Sequence, residues 1–289
     1  MTYSYQLKTR SLVRFSGDEA ADFLNDLITA DTAAIAPHTV QQGMLLTPQG
    51  RILYDLLISR DGEDLLLEVD AERQAEFIKK MMMYRLRRPV SITPDDQAVH
   101  VVFDASDDDG DNTGLADPRF GGTARRYYGD RDDQNGDDRD YQAFRYRHGV
   151  AEGGHDLPPE KALPLEARLD LDQGISFEKG CYIGQEVTAR TRYRGLVKRS
   201  YMPVRVDDDG GQKTHLLNSD YPQDITLDEK LVGQAMGMAE DDDGLIGLAS
   251  IRLEAINGAA QGDADLTMDG ARLTPLFPER LMPLPAKKD

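Results

Sequence analysis

The chain contains no tryptophan and one cysteine, Cys181, in 289 residues. A single thiol cannot close an internal disulfide, which excludes a small secreted scaffold stapled by disulfides. The five histidines, His38, His100, His148, His155 and His215, never form H-E-x-x-H, and one cysteine leaves too few thiols for a typical structural zinc site. No run of about 18 apolar residues is present, so no membrane helix is expected. The first residues lack a basic stretch followed by an apolar one, so no export signal is read there. With a lone thiol, that points to the reducing cytoplasm. Also missing are G-x-G-x-x-G after a strand, G-x-x-x-x-G-K-[ST] and G-x-S-x-G, which removes the usual dinucleotide, P-loop and serine-hydrolase readings. Basic residues are short too: 34 Lys and Arg face 52 Asp and Glu, a formal net charge of -18. A field of that sign repels phosphate backbones and argues against direct nucleic-acid binding.

What remains is a globular composition, 39% hydrophobic and 30% charged, with length for about two domains. The acid is clustered. Asp107-Asp108-Asp109-Gly110, Asp207-Asp208-Asp209-Gly210 and Asp241-Asp242-Asp243-Gly244 share one pattern, and residues 130–140 are mostly Asp, Arg, Asn and Gly. A calcium loop needs an oxygen ligand five residues before its glycine. Counting back gives Ala105, Ala239 and, from Gly136, Arg131, so the calcium reading fails and solvated acidic loops are expected.

Hydrophobic spacing predicts a strand at Leu12–Phe15 and a helix from Gly17-Asp18, whose apolar face is Ala20, Phe23, Leu24, Leu27 and Ile28. Short strands follow at Met44–Leu46, Arg51–Ser59 and Leu65–Val69, with a turn at Asp61-Gly62. Asp70 is the predicted N-cap of a helix running to about Leu86, stopped before Arg88-Pro89. This order suits an α+β layer, helices on one face of a mostly antiparallel sheet. Residues 104–140 read as a polar surface excursion. Beyond Gly195, strands at Val197–Val206, Leu231–Ala239 and Leu245–Arg252 predict a small barrel or sandwich. The expected division is 1–195 and 196–289.

The most informative segment runs from Gly174 to Arg190 and holds Lys179-Gly180-Cys181-Tyr182-Ile183-Gly184-Gln185-Glu186. Gln185, Glu186 and Val187 resemble the first turn of a helix, whose positive end, with Lys179, would favour thiolate at Cys181. Glu186 would oppose that if turned inward. The alternative is an ordinary buried cysteine acting as a small apolar side chain, and the chemistry of the segment alone leaves both open.

Lys179–Glu186 resembles the K-G-C-[YF]-x-G-Q-E signature of the YgfZ family. Further matches are Gly17-Asp18 with Phe23-Leu24 and Ile28-Thr29-Ala30-Asp31; Leu46–Leu53, similar to L-x-P-x-G-R-I-L; Tyr84-Arg85-Leu86-Arg87, similar to Y-x-L-R; and Asp117-Pro118-Arg119. The resemblance covers essentially the whole chain. It implies a fold like the glycine-cleavage T-protein: ferredoxin-like α+β subdomains in a ring around a folate pocket, plus a C-terminal β-barrel. It implies tetrahydrofolate as cofactor and, as partners, iron–sulfur client or scaffold proteins, among them enzymes that modify tRNA. Cys181 is then the residue the role requires, with Lys179 and Glu186 beside it, and it would ligate a cluster only together with a partner. For the folate, Tyr84, Tyr141, Asp55, Tyr182, Gln185 and Arg190 are the candidates, and one of the clusters Arg85/Arg87/Arg88 or Arg190/Arg192/Arg194 is expected at the cavity mouth. The aminomethyltransferases carry paired aspartates after the glycine turn, whereas this chain has Tyr54-Asp55. One carboxylate is missing, which counts against simple aminomethyl transfer and leaves enzymatic turnover open. A binding module with a buried, unreactive Cys181 is the third reading.

Overall fold

The computed structural model describes residues 2–105, 113–208, 211–261 and 265–285. The chain divides into two compact units whose segments alternate along the sequence: residues 1–137, 157–164 and 169–189 in the first, and 138–156, 165–168 and 190–289 in the second.

The first unit holds β1 (Tyr3–Gln6), β2 (Arg10–Ser16), α1 (Ala20–Asn25), β3 (Gln41–Leu46), β4 (Ile52–Asp61), β5 (Asp64–Asp70), α2 (Gln74–Arg85), β6 (Ser91–Asp95), β7 (Val99–Phe103), β8 (Leu115–Ala116) and β9 (Ala124–Tyr128). Two antiparallel sheets result, one ordered β3-β4-β5-β2-β6 and the other β1-β7-β9-β8. Strand alternation divides the labour in the larger sheet. Val13, Phe15, Tyr54, Leu56, Ile58, Leu65 and Leu67 join Phe23, Leu24, Phe77 and Met81 of the two helices in one apolar core. The intervening residues Asp55 and Glu68 point the other way and are buried as charges.

They are buried because arginines meet them. Arg10 Nε donates to Glu68 Oε1 at 2.9 Å, and its Nη1 lies 3.7 Å from Asp55 Oδ2. Arg126 Nε stands 3.6 Å from both Glu68 and Asp117, and Arg119 binds Asp117 through two bonds of 2.9 and 2.7 Å. Arg126, Arg119 and Asp117 come from the stretch expected to be a surface excursion. Residues 106–112, which include the first acidic triplet, lie outside the described residues. The rest of 104–140 instead carries β8, β9 and three fully buried charges. Ion pairing across the two sheets supplies the reason to bury such a polar segment.

The second unit contains α3 (Asp138–Arg147), β10 (Arg199–Asp208), α5 (Lys213–Asn218), β11 (Gln223–Leu227), β12 (Lys230–Asp241), β13 (Gly244–Arg252), α6 (Leu253–Gln261), β14 (Leu266–Met268) and β15 (Ala271–Pro275), with α4 (Gln185–Tyr193) leading into it. Six strands close into a barrel in the order β10-β13-β12-β11-β14-β15. The third acidic triplet makes the β12–β13 hairpin turn, where Asp241 pairs with Arg205 and Gly244 adopts φ +112°. Asp209 of the second triplet and the Gly210 that follows it lie outside the described residues. Helix α3 packs on β12 and β13 so closely that a Cβ at Gly237 would stand 2.2 Å from the Tyr146 hydroxyl. Residues 138–156 therefore group with the barrel, whereas the sequence placed them before residue 195. Among the described residues no helix is long and apolar enough to cross a membrane.

Candidate functional site

The cysteine segment is fastened on both sides of the thiol. Upstream, Thr29 Oγ1 donates to the Gly174 carbonyl at 2.7 Å and accepts from Met44 N at 2.9 Å, while Ser176 N donates to the Thr29 carbonyl. Lys179 then buries its ammonium in a set of oxygens: the Asn25 carbonyl at 2.5 Å, Ile28 at 2.7 Å, Ala30 at 2.8 Å and Asn25 Oδ1 at 3.2 Å. Burial draws its pKa down to about 8, against the opposite pull of Asp31 and Asp26. The same ammonium sits 5.2 Å from the centroid of the buried Tyr182 ring, whose hydroxyl is pushed up to about 12 by burial.

Downstream, the anchor is backbone against backbone. Gly184 has φ +82°, and a Cβ there would lie 2.6 Å from the Thr47 carbonyl and 3.1 Å from Gly50 Cα. Gly50, at φ +73°, is covered in turn by Val187, whose Cβ is 3.1 Å from where a Gly50 Cβ would stand. Only glycines allow this approach between the signature loop and the Thr47–Gly50 turn. Helix α4 starts at Gln185, as expected, with Gln185 N donating to the Tyr182 carbonyl, and Thr188 Oγ1 binds Gly184 O. Between these two anchors Cys181 is exposed and unpaired with any other sulfur. The ordinary buried-cysteine reading is excluded by that exposure.

The structure gathers Lys179, Cys181 and Tyr182 on one loop, with Gln185 and the exposed Glu186 opening α4 and Arg190 exposed further along that helix. It corrects the part given to Lys179: its ammonium is engaged by the carbonyls of 25–30 and fixes the loop. Asp55 does not stand open for a ligand, being buried against Arg10 and accepting from Gln42 Nε2 at 3.1 Å. Tyr141 belongs to the other unit, where its ring is buried and its hydroxyl donates to Glu152 at 2.8 Å. Tyr84 is exposed at the end of α2. Where the aminomethyltransferase pair would have its other carboxylate, Tyr54 lies edge-on to Phe77 at 5.0 Å under the Arg73 guanidinium. Sequence reasoning missed Asn25, Thr29 and Ala30, which shape the loop through main-chain oxygens and, at Asn25 and Thr29, through side-chain oxygens as well. The matched Ile28–Asp31 stretch was the available signal.

No three His, Cys, Asp or Glu side chains among the described residues come together as a metal site. No family model matches the chain. The iron–sulfur cluster assembly factor IBA57 of Mus musculus is 33% identical over 288 residues, covering 88% of this chain and 78% of that protein. Its Homo sapiens counterpart is 34% identical over 286 residues, with the same coverage of 88% and 78%. The chain belongs to the IBA57 family of iron–sulfur cluster assembly factors. Both IBA57 proteins are named as mitochondrial, which overturns the cytoplasmic setting expected from composition. A lone thiol reports a reducing surrounding, not the compartment that provides it. The IBA57-family chain also matches the crystal structure of the glycine cleavage system aminomethyltransferase T from Bartonella henselae. The TM-score is 0.71, with 99% of this chain and 88% of that one covered. At 12% identity the likeness speaks for the fold, which is the mixed α and β architecture with a closed barrel expected from the sequence.

Proposed function

We propose that this chain acts in the assembly of iron–sulfur clusters and that Cys181 is its working group, presenting a thiolate to a cluster or to a partner that carries one. The observation that carries the reading is an exposed sulfur on a loop fixed by the Lys179 ammonium before it and by the Gly184–Gly50 contact after it. A thiolate is a soft ligand suited to iron–sulfur cargo. One thiol cannot hold a cluster, so the remaining ligands come from a partner protein. Clients that modify tRNA, as the YgfZ-like signature implies, belong to the same proposal. The test is complementation: Cys181→Ser, introduced into cells lacking the chain, should leave iron–sulfur enzyme activity unrestored. Its melting temperature should match the wild type, because the side chain is exposed. Full restoration by the serine variant would remove the reading.

Tetrahydrofolate is the small ligand that the YgfZ-like signature implies. Two of the residues offered for it do not fit, since Asp55 is held by Arg10 and Gln42 and Tyr141 by Glu152. Aminomethyl transfer is further disfavoured because Tyr54, an aromatic held between Phe77 and Arg73, stands where the pair would have its other carboxylate. Calorimetric titration with tetrahydrofolate decides the ligand, and a repeat with Tyr84→Ala shows whether the exposed tyrosine stacks on it.

A further inference from the structure

Helix α2 turns only one side to the core. Phe77 and Met81 are fully buried, and Ile78 packs on the same cluster. The next apolar residues have no such use: Met82, Met83, Tyr84 and Leu86 are four of the nine large hydrophobic side chains exposed among the described residues, and they fall within five positions. Met83 is 69% exposed and Leu86 82%. Scattered exposed apolar residues need no explanation, but a contiguous group does.

Leu86 adds a second anomaly. It ends the helix with φ +53° and ψ −108°, a conformation that favours glycine. A leucine there is strained, and the strain is not offset by burying its side chain in this chain. The charge around it is also out of character. Residues 79–88 contain Lys79, Lys80, Arg85, Arg87 and Arg88 and no acid, in a chain of net charge -18. Arg85 and Arg88 are used locally, on the Val90 carbonyl and Asp26. Lys79 and Arg87 are exposed.

We propose that the end of α2 is a docking surface for another protein, one whose apolar contact point is bordered by carboxylates. Methionines suit such a surface because they adapt their shape to a partner, and the cations would set orientation and speed association. A second copy of this chain fits poorly, since an isologous contact would face Arg87 and Lys79 with their own equivalents. An anionic bilayer fits poorly too, because the chain as a whole is strongly acidic and the inner face of α2 is already committed to Phe77 and Met81. This surface is argued independently of Cys181.

The experiment places the photo-crosslinker benzoylphenylalanine at position 86 of the full chain in cells, and sequences the crosslinked peptide. The expected adduct is a peptide of a different protein with Asp or Glu beside the attachment point. Its yield should fall at least about tenfold when Lys79→Glu and Arg87→Glu are combined, and recover when the partner's carboxylates are changed to lysine. Cys181→Ser should leave the yield unchanged, so failure of docking and failure of the assembly role read out separately. Adducts confined to lipid, RNA or this chain itself, no adduct, or a yield indifferent to charge reversal would each overturn the proposal. With the crosslinker moved to Met83, Leu86→Gly should raise the melting temperature by relieving the backbone while lowering capture. Undiminished capture by the glycine variant would leave the strained leucine without its proposed purpose and count against the surface.

Discussion

The Lys179 ammonium is held by main-chain and amide oxygens of residues 25–30, so its work is to fix the loop. Replacing it with methionine leaves the Asn25, Ile28 and Ala30 carbonyls without this donor, at a cost of about 1–3 kcal/mol. The pH dependence follows from its folded pKa of about 8 against an ordinary 10.5. Below about pH 8 the lysine is protonated whether the chain is folded or not, and it contributes no slope. Between the two values the unfolded chain holds more protons, so stability rises with pH there. Urea unfolding of wild type and Lys179→Met at about pH 8 and about pH 10 should show that rise in the difference between the two proteins, with the wild type gaining. A parallel pair of curves would sink the assignment. None of this was legible in the lysine itself. The motif marked Lys179 as special, and proximity in sequence suggested the thiol as its partner. Three of its four acceptors are backbone oxygens some 150 positions away, which carry no side-chain pattern to read.

Pairs of elements show where sequence legibility stops. The hairpins of the larger sheet and its two helices could be read because alternation and helical spacing are written in apolar residues: β4, β5 and α2 lie close to their expected bounds. Strand β9 could not, because its two buried positions are only Ala124 and Arg126 and the Asp-rich run begins directly after Gly129, so the segment read as solvated loop. The glycines of the signature and of the Thr47–Gly50 turn were visible singly, but not that they meet. Two substitutions test these contacts. Gly184→Ala would put a Cβ against the Thr47 carbonyl at a positive φ, and should cost at least about 1–3 kcal/mol in chemical denaturation. It should also change the rate at which a thiol reagent modifies Cys181, and an unaltered rate would mean that the loop is not held by this contact. Arg126→Met removes the cation between Glu68 and Asp117, leaving charge buried, and should destabilise by about 3–5 kcal/mol. Lys213→Ala, which breaks the exposed pair with Glu240, should cost less than about 1 kcal/mol by comparison.

For the whole molecule, composition pointed to the broad class and the strand pattern beyond Gly195 to a β-rich C-terminal region, which the structure resolves as a closed six-stranded barrel. It did not give the grouping of α3 with that barrel. Arg145 and Tyr146 look like surface residues of a polar helix until Asp156 is found beneath them, with Arg145 Nη1 donating to it at 2.6 Å and the Tyr146 hydroxyl at 3.2 Å. Charge is therefore divided between two regimes. Buried pairs such as Arg145–Asp156 and Arg119–Asp117 are shielded from salt, while much of the acidic excess of -18 lies where ions can reach it, as at Asp242 and Asp243. Like charges repel in the compact state, and raising ionic strength from about 0.1 M to about 1 M shortens the screening length from about 10 Å to about 3 Å. The melting temperature should therefore climb with potassium chloride, which avoids the surface-exclusion effects of sulfate. The climb should persist in Lys213→Ala, because it comes from the summed charge and not from one exposed pair. A melting temperature that is flat or falls with salt would mean that local cations already neutralise the acidic surface, and the excess would then have no bearing on stability.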